Sequence, residues 1–365
     1  MKNFIKAAFF VVFVLCVTSC RQSNSTKPVP VAGPNIQQYV TVTRIPQSDT
    51  VIFVFSKKDT WSIYTLDSAN GKAKDTADIT TKDSVVLLRV KDAGARYYFK
   101  VVNSKNESAT LTETVLPIKG QPNFRDLGGL ITTDGYSIKW GRLFRSGALN
   151  KLTPADVAYM KSAGIQIDID FRRPEEYQQA QDRLPEGVKL VNLPIKTPPD
   201  DNSTAKWLST KDALALDTMF IPLYRSLVTD PLCQSQYAHF LNRLATTDSA
   251  TVYHCSAGKD RTGFATVLLL SALGVDRHTV VSNYLETNQY ISAEYSSYVA
   301  AINKQYGDKR GGLLSRSLLV NYEYIKTSLD IIDKMPGGMD GYLKDVLKVD
   351  AEALKLKYLD NYKKK

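Results

Sequence analysis

Histidine is scarce in this chain of 365 residues. His239, His254 and His278 stand far apart, with no second ligand at metal-binding spacing. That excludes the common zinc patterns, and no metal or other cofactor is expected. Cysteine is nearly as scarce. Cys16 and Cys20 fall in the first twenty residues, which leaves Cys233 and Cys255 for the folded part. Two distant thiols exclude a disulfide framework, and Cys233 reads as a small buried hydrophobe. Beyond the N-terminus no apolar run approaches the ~20 residues that a membrane-crossing helix needs. Basic blocks interleaved with aromatics are missing, so no nucleic-acid partner is expected. No segment repeats.

What is present is a globular composition, 43% hydrophobic. The length suits two domains at ~100–200 residues each. The formal net charge of +10 reads as a soluble surface with a basic tail, Lys363 to Lys365. Attraction to anionic substrates or headgroups is the sharper alternative.

The first residues form a targeting segment. Lys2 and Lys6 precede the apolar run 7–17, which is too short to span a bilayer. Val17-Thr18-Ser19-Cys20 resembles a bacterial lipobox. It implies a signal peptide over 1–19, Cys20 as the lipidated first residue of the mature protein, and a Ser-, Thr-, Pro- and Asn-rich tether over 20–37. The expected location is outside the cytoplasm, lipid-anchored on the periplasmic or cell-surface side of a membrane.

From 38 to 117 short alternating runs predict strands at 39–44, 51–56, 61–66, 85–90, 96–103 and 109–116, separated by turn signals such as Asn70-Gly71. This predicts a small all-β sandwich. Tyr97-Tyr98-Phe99-Lys100-Val101 resembles a late strand of a fibronectin type III or immunoglobulin-like domain. No catalytic cluster lies here, so the expected role is spacer or accessory module, with its partner unknown.

Past Pro117-Ile118-Lys119-Gly120, strands alternate with helices, which predicts an α/β layered domain over 118–365. Thr153 and Pro154 start a helix that Gly164 ends. The run 165–170 reads as a strand, Pro174-Glu175-Glu176 as a helix start, 188–193 as a strand, and 197–203 as a loop. Segments within 205–245 read as helical. From 276 onward helices are expected to break at Gly307, Gly311-Gly312 and Gly337-Gly338.

One stretch carries chemistry: His254-Cys255-Ser256-Ala257-Gly258-Lys259-Asp260-Arg261-Thr262-Gly263. A β-branched run precedes it and an apolar helical run follows, so it reads as a loop between strand and helix. Such a loop offers free N–H groups and the positive end of a helix dipole to an oxyanion. Helix N-termini and neighbouring cations favour thiolates, and a guanidinium grips two phosphate oxygens at once. Cys255 is therefore the candidate nucleophile toward phosphorus. Arg261 is the candidate clamp for transition-state charge. Ser256, Ala257, Gly258 and Lys259 are expected to wrap the anion. The Thr262 hydroxyl is expected to stabilise the departing thiolate, and His254 to brace the loop.

The HCSAGKDRTG segment is similar to the signature of the cysteine-dependent protein tyrosine phosphatases. It looks most like a bacterial branch associated with tyrosine, dual-specificity and phosphoinositide substrates. Asn123-Phe124-Arg125-Asp126-Leu127-Gly128-Gly129, Arg142-Leu143-Phe144-Arg145-Ser146-Gly147 and Asp170-Phe171-Arg172-Arg173-Pro174-Glu175-Glu176 resemble further motifs of that branch. The resemblance covers about 118–360 and not the sandwich. It implies metal-independent hydrolysis of phosphate monoesters through a phosphocysteine, on a phosphorylated protein or a phosphoinositide. A binding protein with a vestigial phosphatase domain is the non-enzyme alternative.

Such a hydrolase also needs a proton donor for the leaving oxygen and a base for water, and one carboxyl group can serve as both. No Trp-Pro-Asp loop is present. Asp170 matches the branch's proposed acid, and Asp260 lies in the loop itself. Asp200 and Asp201 sit in a Pro-rich segment. Arg125 and Asp126 suit either a structural or a substrate role. Lys259 at the loop's rim suits a second phosphate or an inositol ring.

Overall fold

The computed structural model describes residues 36–196 and 218–363. The signal segment with Cys20, and the 197–203 loop with Asp200 and Asp201, lie outside the described residues.

Seven strands build the N-terminal part: β1 (Val40–Arg44), β2 (Thr50–Phe55), β3 (Trp61–Leu66), β4 (Ile79–Thr81), β5 (Val85–Arg89), β6 (Tyr98–Val102) and β7 (Ser108–Leu111). They form two antiparallel sheets, β1-β2-β5 and β4-β3-β6-β7. Alternation sets the faces: Phe99 and Val101 point inward and Lys100 outward. The core between the sheets holds Phe53, Phe55, Trp61 and Phe99. Phe53 and Phe99 meet edge to face at 5.0 Å and Phe55 and Trp61 stack at 4.9 Å. The expected tether ends earlier than 37, because Ile36 is already buried in this core.

The larger part is organised on a five-stranded sheet of order β11-β10-β12-β9-β8. Its strands are β8 (Arg125–Asp126), β9 (Leu143–Ser146), β10 (Ile165–Asp170), β11 (Lys189–Asn192) and β12 (Ala250–His254). All neighbours run parallel except β8 and β9. β12 lies in the middle with every residue buried, as a parallel strand covered on both faces must be.

Helix α1 (Pro154–Ser162) covers one face. It starts where the sequence predicts, with a capping box between Thr153 and Asp156 and Pro154 in its first turn. Such a cap contributes roughly 0.5–2 kcal/mol. A short α2 (Pro174–Gln179) follows β10. The core on the opposite face is built by α3 (Ile221–Thr229), α4 (Pro231–Thr246), α5 (Arg261–Leu273) and α6 (Arg277–Leu285); α7 (Thr287–Tyr306) and α8 (Asp308–Ser315) pack on each other, and α9 (Tyr322–Asp333) and α10 (Ala351–Tyr358) complete that core. Helix α5 is apolar on nearly every side and buried from Thr262 to Leu270, which marks it as the central helix.

One expected break is absent. Gly307, at φ +79°, separates α7 from α8, but Gly311 and Gly312 lie inside α8. A Cβ on Gly311 would stand 1.9 Å from Asn303 Oδ1, so this glycine permits close packing of α8 on α7.

The two parts share a sealed seam. Arg96 of the sandwich donates to Asp126 of β8 at 2.7 Å, and Arg44 meets Glu113 at 2.8 Å, all four side chains almost fully buried. Arg44 also donates to the Tyr159 hydroxyl on α1 at 2.9 Å. Gly141, at φ +71°, leaves no room for a Cβ because the Tyr98 hydroxyl would lie 2.3 Å away. Trp140 packs against the sandwich core. The expected spacer is therefore docked by buried charge on the sheet that carries the loop.

Candidate active site

The loop from Cys255 to Arg261 leaves the carboxyl end of β12 and enters α5, the place where open parallel sheets bind ligands. Its carbonyls are held from outside. Ala148 N–H donates to Ser256 O at 3.0 Å; Arg145 Nη2 and Asn123 Nδ2 donate to Gly258 O at 2.8 and 3.2 Å. This leaves the loop's N–H groups for an oxyanion. Gly258 has φ +67°, and a Cβ there would come within 2.4 Å of Ser146 O, so only glycine fits. Cys255 is buried to 2% exposure at the floor.

Arg261 is fixed by a carboxylate that the sequence reading passed over. Its Nη1 and Nη2 donate to the two Glu176 oxygens at 2.8 and 2.9 Å, the forked pairing that guanidinium geometry favours. Ser256 Oγ bridges the pair, donating to Glu176 at 2.6 Å and accepting from Arg261 at 3.0 Å. Burial opposes the charge on Glu176, but the hydrogen bonds and charge of Arg261 outweigh it and hold the carboxyl far below the usual range. In the sequence Glu176 stands only as part of a helix start and as the last residue of the Asp170-to-Glu176 motif, with no role of its own; an acid three residues after Arg173 fits a capping role equally well.

Beneath the loop lies a charged layer. His254 Nδ1 donates to Cys255 O at 3.1 Å, while Nε2 faces Asp168 at 3.2 Å and Asp182 at 3.5 Å. Burial opposes protonation of this imidazole, yet Asp168 and Asp182 raise it well above the ordinary histidine range. With acceptors at both nitrogens it is a charged brace. Arg172 spans Asp170 and Asp182. On the other side Arg145 reaches Gly258 and Asn283, and Arg125 reaches Asn283, Glu286 and Thr287. Burial, then the neighbouring Arg125, pushes Arg145 down to about 9. Arg125 is thus structural, and so is Asp126 at the seam.

Asp170 requires a correction. The expected acid is fully buried and accepts from the Arg172 backbone N–H at 2.8 Å and from its guanidinium at 2.9–3.0 Å. These bonds occupy the carboxylate, so it anchors the strand end and has no free oxygen for a leaving group. Asp260 is different. It is partly open to solvent, with Oδ1 accepting from the Tyr224 hydroxyl at 2.7 Å and Oδ2 lying 3.7 Å from Lys259 Nζ.

Lys259 is also corrected. It is not a rim cation: it is buried, donates to the backbone oxygen of Ser317 at 2.7 Å, and lies 5.2 Å over the Phe220 ring. Ser256 and Ala257 do face open space, in a cavity of about 360 Å³ bordered by Gln121, Lys151, Tyr295 and Tyr298. Thr262 Oγ1 is buried at the start of α5 without a hydrogen-bond partner among the described residues.

Asp168, Asp182 and His254 also bring three potential ligand atoms within 4.8 Å of one another. Arg172 and the imidazolium already supply positive charge there, so the trio reads as an ion-pair cluster. Cys233 is buried, donates to Lys196 O at 3.2 Å and is pushed up to about 12, chiefly by burial.

A family model described as the tyrosine phosphatase family matches residues 116–360. A protein of Cupriavidus necator named as a tyrosine-protein phosphatase is 32% identical over 242 residues, covering 65% of this chain and 85% of its own. The triple specificity protein phosphatase PtpB of Mycobacterium tuberculosis is 29% identical over 262 residues, covering 63% of this chain and 93% of its own.

Proposed function

Because the chain belongs to the tyrosine phosphatase family, we propose that it hydrolyses phosphotyrosine-like monoesters with Cys255 as nucleophile and Asp260 as acid and base. The Cys255 thiolate attacks phosphorus and the ester P–O bond breaks. Asp260 gives its proton to the departing oxygen. Water then attacks the phosphocysteine, its proton returns to Asp260, and the P–S bond breaks to free phosphate. Glu176 fixes the rotation of Arg261; Glu176 and the Phe171 carbonyl engage Nη1, Glu176 and Ser256 engage Nη2, and Nε–H is left to meet a phosphoryl oxygen. Thr262 Oγ1 is a hydroxyl with no other partner among the described residues, which suits it to the thiolate.

The observation that carries this reading is the Cys255-to-Arg261 loop on the central parallel strand, with its arginine clamped by Glu176. Hydrolysis of p-nitrophenyl phosphate in EDTA tests it. Cys255→Ser is expected to abolish turnover, and full activity in that variant would overturn the nucleophile assignment. Asp260→Asn is expected to lose roughly 10²–10⁴-fold. Asp170→Asn is expected to act through stability, and a larger loss of turnover at equal folding would return the acid role to Asp170.

A broader substrate range is the second reading. The triple specificity named for the Mycobacterium tuberculosis relative favours it. The bond from Lys259 to Ser317 argues against Lys259 holding the second phosphate of an inositol lipid. The strand order of the sandwich, three strands facing four, supports a fibronectin type III module. The lipobox-like segment supports export and lipid attachment at Cys20, and Cys20→Ala releasing the protein from the membrane fraction is the expected result.

A further inference from the structure

The Tyr224 hydroxyl touches the acid proposed above, and nothing in the loop motif points to it. Tyr224 comes from α3, Asp260 from the loop and Tyr284 from α6, so three separate elements converge. The Tyr224 hydroxyl donates to Asp260 Oδ1 at 2.7 Å and lies 2.6 Å from the Tyr284 hydroxyl. Each phenol has a single proton. Tyr224 spends its own on Asp260, so Tyr284 donates to Tyr224. The order is Tyr284 to Tyr224 to Asp260. Both rings are almost wholly buried and cross at 83°. Tyr284 also lies against Gly263, where a Cβ would meet its ring at 2.9 Å.

We propose that Tyr224, backed by Tyr284, is the positioning residue that sets the Asp260 carboxyl for proton transfer; this rests on the assignment of Asp260 as the acid. The hydroxyl occupies one lone pair of Oδ1 and restrains rotation of the carboxyl group. When Asp260 is protonated, the proton therefore sits on Oδ2. A carboxyl fixed in this way spends no orientation freedom in the transition state. Burial, and then the nearby Asp260 charge, raise both phenols well above their ordinary range. They stay protonated donors throughout the working range of the enzyme. Because Tyr224 is buried, it acts only through Asp260.

A leaving-group series on the full chain tests this. Aryl phosphates running from p-nitrophenyl to unsubstituted phenyl need progressively more help from an acid. Tyr224→Phe is expected to lower kcat about tenfold on phenyl phosphate and much less on p-nitrophenyl phosphate, with KM nearly unchanged. Added to Asp260→Asn, it is expected to cost nothing further, because residues acting as a unit are not additive. A uniform loss across the series, or a full additional loss in the double variant, overturns the proposal. If Asp260→Asn itself shows no leaving-group dependence, the acid assignment fails instead. Should Tyr224→Phe not fold, Tyr284→Phe carries the same test. It removes the donor to Tyr224 without touching Asp260, and a smaller loss of the same leaving-group pattern is expected. A uniform loss there counts against the proposal.

Discussion

Between its sheets the sandwich packs Phe53, Phe55, Trp61 and Phe99, and its buried charges Arg44, Arg96 and Glu113 gather at the seam, whereas the sheet under the phosphate loop buries Arg125, Arg145, Asp168, Asp170, Arg172 and His254. The first core is held by aromatic and branched apolar packing, which is non-directional and tolerant of substitution. The second is held by ion pairs and hydrogen bonds that cost desolvation and fail when a partner is removed. The difference follows task. A loop that receives a phosphate must hold its carbonyls and its arginine in one orientation. The seam between the two parts follows the second rule: Arg96 pairs with Asp126 across it, and Arg44, paired with Glu113 inside the sandwich, donates across it to Tyr159.

The largest expected effect breaks that seam. Arg96→Met leaves Asp126 buried and uncompensated, so a loss of about 3–5 kcal/mol is expected in urea unfolding. Adding Asp126→Asn should return most of it. If Arg96→Met costs nothing, the two parts are not joined as described. A smaller effect contrasts the interiors. Phe53→Leu in the sandwich should cost about 1–2 kcal/mol while leaving kcat unchanged; a matching fall in kcat would mean that sandwich packing reaches the loop.

The smallest effect is a pH dependence. His254 is raised on folding, so its contribution is full below its unfolded value of about 6.5 and is lost as pH rises toward its folded value. The stability gap between the wild type and His254→Gln should therefore be widest below about pH 6.5 and shrink as pH rises above it. The gap for Phe53→Leu should stay level over the same range. A His254 gap that grows with pH would reverse the sign of the argument.

The apolar rule is legible in a sequence, and the charged one is not. Alternation located six of the seven sandwich strands. It missed β4, three residues without a buried position. The loop, its strand and its helix were legible because glycine, cysteine and arginine sit at fixed spacing between two apolar runs. The roles of the charged residues depend on burial and on partners distant in the chain. Asp170 looks the same to a reader whether it faces a substrate or Arg172. Lys259 reads as a rim cation until a carbonyl from Ser317 is found over it. Glu176 stood at a helix start and at the end of a motif without any sign of its partner Arg261, and Tyr224 had no signal at all. Gly311 read as a break because its packing partner, Asn303, lies on the preceding helix.

Gly258 has a practical consequence for directed evolution of this loop. The backbone of Ser146 and Gly147 stands where its Cβ would go, so every codon other than glycine at that position consumes library without yielding a folded loop. Ser256 and Ala257 face the cavity instead. Diversity placed at Ala257, with 258 held constant, samples substrate preference, whereas a change at Ser256 also removes its bridge between Glu176 and Arg261.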